Sequence, residues 1–395
     1  MELIKLGEIC DVLNGYAFKS ENYVPSGVRI LRIANVQKGY IEDSDPAFYP
    51  SETEGLEKYM LKAGDLLMSL TGNVGRVAMI GEEFLPAALN QRVACLRLKR
   101  NDILLEYVFH YLNSDLFEQK CISSAKGIAQ KNMSTEWLKD YELPVVSLKN
   151  QIKIVEVLNR TRDIINCREK ELEQLDILIK ARFVEMFGDP VANPMCWPVS
   201  RLGDLSIQIN SGNTPKGGSE VYVDEGITFF RSQNVWKDRL IMDDIAYIDE
   251  DTHKSMSRSS LKHGDILMTK TGRVNTENSS LGRAALYLGE DDAANVNGHV
   301  YFIRLKPGVN NQFVLKILVS NEYRDLIRKV CVGGIDKRQL NKNHIEDFPI
   351  ICPPEEMINE FVNFVKQVDK SRFVIQKELD AYQELFDKLM QEYFG

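Results

Sequence analysis

Apolar positions along this chain follow two alternating regimes. In the first, short runs such as Arg29-Ile30-Leu31-Arg32-Ile33, Asp65-Leu66-Leu67-Met68 and Val93-Ala94-Cys95-Leu96-Arg97-Leu98 are punctuated by Gly, Asn and Pro, the pattern of short strands between turns. A helical stretch is expected near Leu104 to Lys120 and again near Gln312 to Lys329. In the second regime the spacing becomes heptad. Leu158, Ile165, Leu172 and Ile179 recur every seven residues, with Thr161, Arg168, Leu175 and Arg182 on the intermediate stripe. Near the end of the chain, Val368, Ile375, Tyr382 and Leu389 form one stripe and Val365, Arg372, Leu379, Phe386 and Tyr393 the other. Cys352-Pro353-Pro354-Glu355-Glu356 supplies prolines and first-turn acids for a helix start, and Gly188-Asp189-Pro190 stops the earlier helix. A helix of roughly 40 residues is about 60 Å long at the α-helical rise.

These regimes alternate because the sequence repeats once, with a period near 200 residues. Lys5-Leu6-Gly7-Glu8 returns as Arg201-Leu202-Gly203-Asp204, and Arg32-Ile33-Ala34-Asn35-Val36 as Arg231-Ser232-Gln233-Asn234-Val235. Lys62-Ala63-Gly64-Asp65-Leu66-Leu67-Met68 is matched by Lys262-His263-Gly264-Asp265-Ile266-Leu267-Met268. The register then slips by about seven residues, placing an insertion near Asn275 to Ser280, before Asn90-Gln91-Arg92-Val93 pairs with Asn297-Gly298-His299-Val300. The expected fold is α+β, with two homologous mixed α/β domains joined by two long antiparallel coiled-coil helices about a pseudo-twofold axis. Its segments are domain 1 at 1–147, a central spacer helix at 148–188, a linker at 189–198, domain 2 at 199–352 and a C-terminal spacer helix at 353–395.

Composition narrows the class. Hydrophobic residues make up 44% of the chain, enough for packed cores. No apolar run reaches the roughly 18 residues of a membrane-spanning helix and no leader pattern opens the chain, so a soluble, cytoplasmic protein with no membrane partner is expected. The seven cysteines are scattered and never spaced C-x-x-C, which points to ordinary thiols and no metal site. The net charge of -8 counts against nucleic acid, but bases cluster locally. Asn90 to Arg100 holds Arg92, Arg97, Lys99 and Arg100 without an acid, and Arg324 to Lys342 holds six bases against Asp325 and Asp336.

Two similar globules about a pseudo-dyad suit duplex DNA, which has a local twofold of its own, and differing loops would read differing half-sites. Base edges are read by Arg, Lys, Asn and Gln, and phosphates by cations, hydroxyls and amides. Such groups concentrate in matched loops. In the first copy the DNA-binding candidates are Thr71, Asn73, Arg76, Asn90, Gln91, Arg92, Lys126, Gln130, Lys131 and Asn132. In the second they are Lys270, Thr271, Arg273, Asn275, Asn297, His299, Lys337, Arg338, Gln339 and Asn341. Asp65 and Asp265 read as strand-opening turns, not metal ligands. The five histidines are not repeat-matched, so no catalytic residues are assigned. Arg168, Arg182 and Arg372 interrupt apolar stripes; they pair within the seam, touch a partner, or, as is commonest, reach past the seam into solvent.

The order globule, helix, globule, helix, with the Lys-x-Gly-Asp-Leu/Ile-Leu-Met pattern and the Ser211-Gly212-Asn213-Thr214-Pro215 turn, resembles the type I restriction-modification specificity subunit over essentially the whole chain. The resemblance implies that the globules are target recognition domains for double-stranded DNA and that the helices form a spacer docking two modification (methyltransferase) subunits. It also implies that no cofactor is bound by this chain: S-adenosylmethionine belongs to the modification subunits, and ATP and magnesium to restriction subunits. In keeping with that division, there is no Asn/Asp-Pro-Pro-Tyr/Phe motif, since Cys352-Pro353-Pro354-Glu355 lacks amide and aromatic, and Gly212 to Ser219 lacks the Lys of a phosphate-binding loop. The competing reading is a noncatalytic protein–protein scaffold with two repeated binding domains, which the acidic net charge favours.

Overall fold

In the strand Leu66–Ser69 successive side chains enter different cores: Leu66 and Met68 join one cluster with the helices and Leu67 joins another on the opposite face. A strand buried on both faces must be apolar throughout, which is why this run does not alternate with polar residues. Ile266–Thr269 repeats the arrangement, with Ile266 and Met268 in one cluster and Leu267 in another. The computed structural model describes residues 2–125, 132–274, 276 and 278–395. These divide into two compact units, one of Met1–Glu171 with Ile375–Gly395, the other of Leu172–Val374.

In the first unit Leu66–Ser69 lies between Val93–Leu98 and Val77–Met79 in a four-stranded antiparallel sheet completed by Cys10–Asn14. A second sheet sets Val28–Leu31 between Phe48–Tyr49 and Ala87–Leu89, the latter pair parallel. The second unit has the same four-stranded order in Ser206–Ser211, Val300–Leu305, Ile266–Thr269 and Ala284–Leu286. Its second sheet gains a strand, Tyr222–Val223, beside Ala246–Ile248.

The helix expected near Leu104 to Lys120 is two helices, Leu105–Leu112 and Asp115–Ser124, because Ser114 caps the second by accepting the Phe117 N–H at 3.3 Å. Ser320 divides the matching stretch into Asn311–Leu318 and Asn321–Val330 in the same way, at 3.2 Å from the Tyr323 N–H.

Each heptad segment is one unbroken helix, Leu148–Phe187 and Glu355–Phe394. Within the first unit the two run antiparallel: Arg168 meets Glu378 at 2.9 Å, and further back along the first helix the Arg162 guanidinium lies 4.7 Å from the Phe386 ring centre. Leu158 and Phe394 are buried in this unit's core, where Phe394 packs edge-on to Tyr107 and Tyr111. Within the second unit Arg182 meets Glu360 at 2.6 Å and Arg372 meets Asp176 at 2.5 Å, again antiparallel, and Phe187 packs on Phe313 and Phe361. The three seam arginines therefore do not run out into solvent. Each is 31% exposed and ion-paired across the seam, because a guanidinium beside an apolar stripe keeps its charge cheaply only when a carboxylate on the facing helix shares it.

Candidate nucleic-acid interface

One backbone clamp recurs in both units and gathers the candidate loops. After the strand Leu66–Ser69, the Leu70 N–H donates to the Arg92 carbonyl at 3.0 Å and its carbonyl accepts the Met133 N–H at 2.9 Å. After Ile266–Thr269, the Lys270 N–H donates to the His299 carbonyl at 2.8 Å and its carbonyl accepts the Leu340 N–H at 2.9 Å. Three loops distant in sequence thus meet at the end of one buried strand. Glycine makes the approach possible. A Cβ on Gly15 would stand 2.1 Å from the Asn90 carbonyl oxygen, and one on Gly212 2.0 Å from that of Val296. With Gly15 in place, the Tyr16 N–H donates to the Leu89 carbonyl and the Gln91 N–H to the Tyr16 carbonyl, both at 2.9 Å, which fixes the turn holding Asn90, Gln91 and Arg92.

In the first unit Asn73, Gln91, Arg92 and Asn132 are exposed, and Thr71 and Asn90 half-buried. Thr71 bridges Asn132, so those two loops touch. Arg76 is committed inward: its guanidinium donates to the Gln37 side chain, and its N–H to the Ser69 hydroxyl at 3.1 Å. Lys126, Gln130 and Lys131 lie outside the described residues. The basic run read from the sequence is mostly spent internally. Arg97 makes a two-pronged pair with Asp65 at 2.7 and 2.5 Å, Lys99 bonds the Gly7 carbonyl at 2.7 Å, and Arg100 pairs with Asp102. Among the described residues Arg92 is the one base of that run whose side chain makes no ion pair or hydrogen bond.

In the second unit Thr271–Arg273 pairs with Lys337–Gln339 as a short antiparallel ladder, setting Thr271 opposite Gln339 and Arg273 opposite Lys337. Arg273, His299, Lys337 and Gln339 are exposed, and Arg273 reaches Asp336 at 3.3 Å. Lys270 lies 5.8 Å from the Tyr301 ring, and Asn297 accepts the His299 N–H at 3.0 Å. Arg338 donates to the Gly334 carbonyl at 3.3 Å. Asn341 precedes the helix Lys342–Glu346, its N–H bonded to His344 Nδ1 at 3.3 Å, so it starts an element and does not belong to the loop. Asn275 lies outside the described residues. A polar concavity of about 470 Å³ opens beside the ladder, lined by Thr271, Arg273 and Lys337 with Ser232, Ser279 and Ser280 among others.

Residues 1–176 match the model of the type I restriction modification DNA specificity domain. The chain is 29% identical over 182 residues to the type I restriction enzyme MjaVIII specificity subunit of Methanocaldococcus jannaschii, a match covering 44% of this chain and 42% of that relative. It is 22% identical over 392 residues to the StySPI specificity subunit of Salmonella potsdam, covering 94% of this chain and 82% of the relative. Over nearly its whole length the chain is similar to type I restriction enzyme specificity subunits, and it spans less than half of the MjaVIII relative. Its fold agrees: the type I restriction-modification S subunit from M. genitalium superposes with a TM-score of 0.58 at 16% identity, covering 100% of this chain and 96% of that one.

Two features of this chain were not read from its sequence. Asp65 and Asp265 do open strands, each accepting an N–H at 2.8 Å from Lys62 or Lys262, but each also grips an arginine, Arg304 holding Asp265 at 2.9 and 2.7 Å. Arg283, the partner of Arg76 in the repeat, was absent from the candidates. Carrying the seven-residue slip from Gly75-Arg76 to Gly282-Arg283 would have found it. Its guanidinium lies 3.7 Å from the Trp236 ring, where the first copy has Gln37.

Proposed function

We propose that this chain is a specificity subunit that selects the DNA sequence acted on by its type I complex, each copy reading one half of a bipartite, asymmetric duplex site. The long helices set the spacing between half-sites and dock two modification subunits, and restriction subunits join the same cytoplasmic assembly. The chain is noncatalytic in this reading: methyl transfer from S-adenosylmethionine lies in the modification subunits, and ATP- and magnesium-dependent cleavage in the restriction subunits. The observation that carries it is the twin clamp at Leu70 and Lys270, which presents exposed amides and cations of the reading type from equivalent loops of both copies. Because those loops differ in sequence, with Asn90-Gln91-Arg92 against Asn297-Gly298-His299, they suit two different half-sites.

Mapping methylated positions in host DNA with and without this gene tests the reading: one bipartite motif should disappear. Methyl transfer by the purified chain alone would refute it. The competing scaffold role, favoured by the net charge of -8, predicts no steep salt dependence of binding to duplex DNA.

A further inference from the structure

In the first unit an aromatic cluster adjoins the turn that carries Asn90, Gln91 and Arg92. Tyr16 bridges Asn90, and its ring meets Phe18 edge-on at 5.1 Å and Tyr59 in a tilted arrangement at 5.2 Å. Phe18, 8% exposed, packs in turn against Tyr49 within a core cluster. Tyr59 arrives from a separate segment, whose next residue, Met60, bridges Ala88 in the strand that leads into Asn90. Rings from two places thus support Tyr16, which is nevertheless left 46% exposed.

A tyrosine serving only the core would be buried as Phe18 is, with its hydroxyl bonded. Among the described residues neither Tyr16 nor Tyr59 bonds its hydroxyl, and no cation lies over either ring. The second copy shows that the fold does not need the cluster. There Gly212 answers to Gly15 and Asn213 to Tyr16, the Asn213 N–H donating to the Val296 carbonyl at 3.2 Å as the Tyr16 N–H donates to that of Leu89. Pro215 stands in the place of Phe18 and Ser259 in that of Tyr59, and Asn213 accepts from Arg258 at 3.3 Å. The same turn closes with no aromatic ring at these places.

We infer that Tyr16 reads a thymine in the half-site of the first copy, its ring packed against the 5-methyl group in the major groove. The inference rests on the DNA-reading function proposed above. The Gln91 N–H donates to the Tyr16 carbonyl at 2.9 Å, so a duplex engaging the Asn90–Arg92 turn is brought against this ring. An uncharged ring offers a phosphate only its hydroxyl, whereas the thymine methyl is the apolar group that the major groove displays. Asn213 has no such face, so the second copy lacks this contact.

The test uses the full-length chain assembled with modification subunits and a duplex carrying the motif mapped by methylation, each thymine of the motif being replaced singly by uracil, which lacks only the methyl group. In the wild type one such replacement should weaken binding about fourfold, the effect of burying one methyl group. Y16N, which copies the residue of the second copy's turn, should bind the thymine and uracil duplexes equally, and Y16F, which keeps the ring, should retain the fourfold difference. Y40A removes another exposed tyrosine of the same unit and should leave that difference unchanged. Specific binding by the wild type with no effect of uracil, or an effect that survives Y16N or is lost in Y16F, overturns the contact and leaves the DNA reading standing. Equal weakening by Y16N on every duplex, random sequence included, with no effect of uracil would mark the ring as a wedge between bases and overturn it too. Absence of specific binding by the wild type overturns the DNA reading itself.

Discussion

Replacing Asp65 by Asn removes a charge without changing shape, and the structure sets the size of the effect. The carboxylate is 3% exposed, accepts both prongs of Arg97 at 2.7 and 2.5 Å, and accepts the Lys62 N–H at 2.8 Å. Breaking a fully buried pair costs about 3–5 kcal/mol, chiefly because the surviving charge is stranded. Arg97 retains 28% exposure and can turn partly toward water, which lowers the expected loss to about 2–3 kcal/mol. The repeat supplies a second trial: Asp265 is 1% exposed and Arg304 23%, in the same geometry, so D265N should cost the same within about 1 kcal/mol. In urea unfolding, with a slope of about 2 kcal/mol per M, each variant should lower the midpoint of its own unit by roughly 1 M. The double variant D65N/R97Q, which strands no charge, should recover part of the loss. A loss below about 0.5 kcal/mol, or a double variant as costly as the sum of D65N and R97Q, would refute the argument.

Phe394→Ala should destabilise the first unit by about 3–5 kcal/mol and Phe187→Ala the second, each read as the loss of one unfolding transition's midpoint, although each residue belongs by sequence to the other copy. His110 is fully buried, bonded to Asn159 at 2.7 Å, and its pKa is pushed down to about 4, chiefly by burial. The unfolded chain, with a pKa of about 6.5, binds this proton first. Stability of the first unit is therefore level above that value and falls as pH drops toward 4, by about 2 kcal/mol at pH 5, and H110Q should abolish that component in pH-dependent denaturation. Gly15→Ala forces the Asn90–Arg92 turn away from its seat and should weaken duplex binding at least tenfold in a titration, while Gly55→Ala, where a Cβ meets nothing and only the local backbone at φ +78° is strained, leaves binding unchanged.

Much of this molecule was legible along the chain. The repeat, the heptad stripes and the proline and glycine signals that bound the two long helices depend on local spacing, and local spacing is what a sequence displays. The division of the expected helix at Ser114 was legible in principle as well, since a serine cap is a local device, but the apolar period running through it concealed the break. The clamp loops were found because their polar residues recur with the repeat, and Arg283 was lost only when the inserted segment displaced the register.

Other features existed only once the chain was folded. Asp65 meets Arg97 across 32 residues and Asp265 meets Arg304 across 39, and no periodicity relates such positions, so bases that looked available to DNA proved to be holding strands together. The seam arginines found carboxylates on a facing helix far away in sequence, 178 residues in the case of Arg182 and Glu360 and 196 in that of Arg372 and Asp176. Residue order alone determined what each segment could become, because secondary structure answers to near neighbours. Which charges remained free to meet a ligand was decided by tertiary packing, because burial and pairing depend on whichever distant side chain is brought alongside.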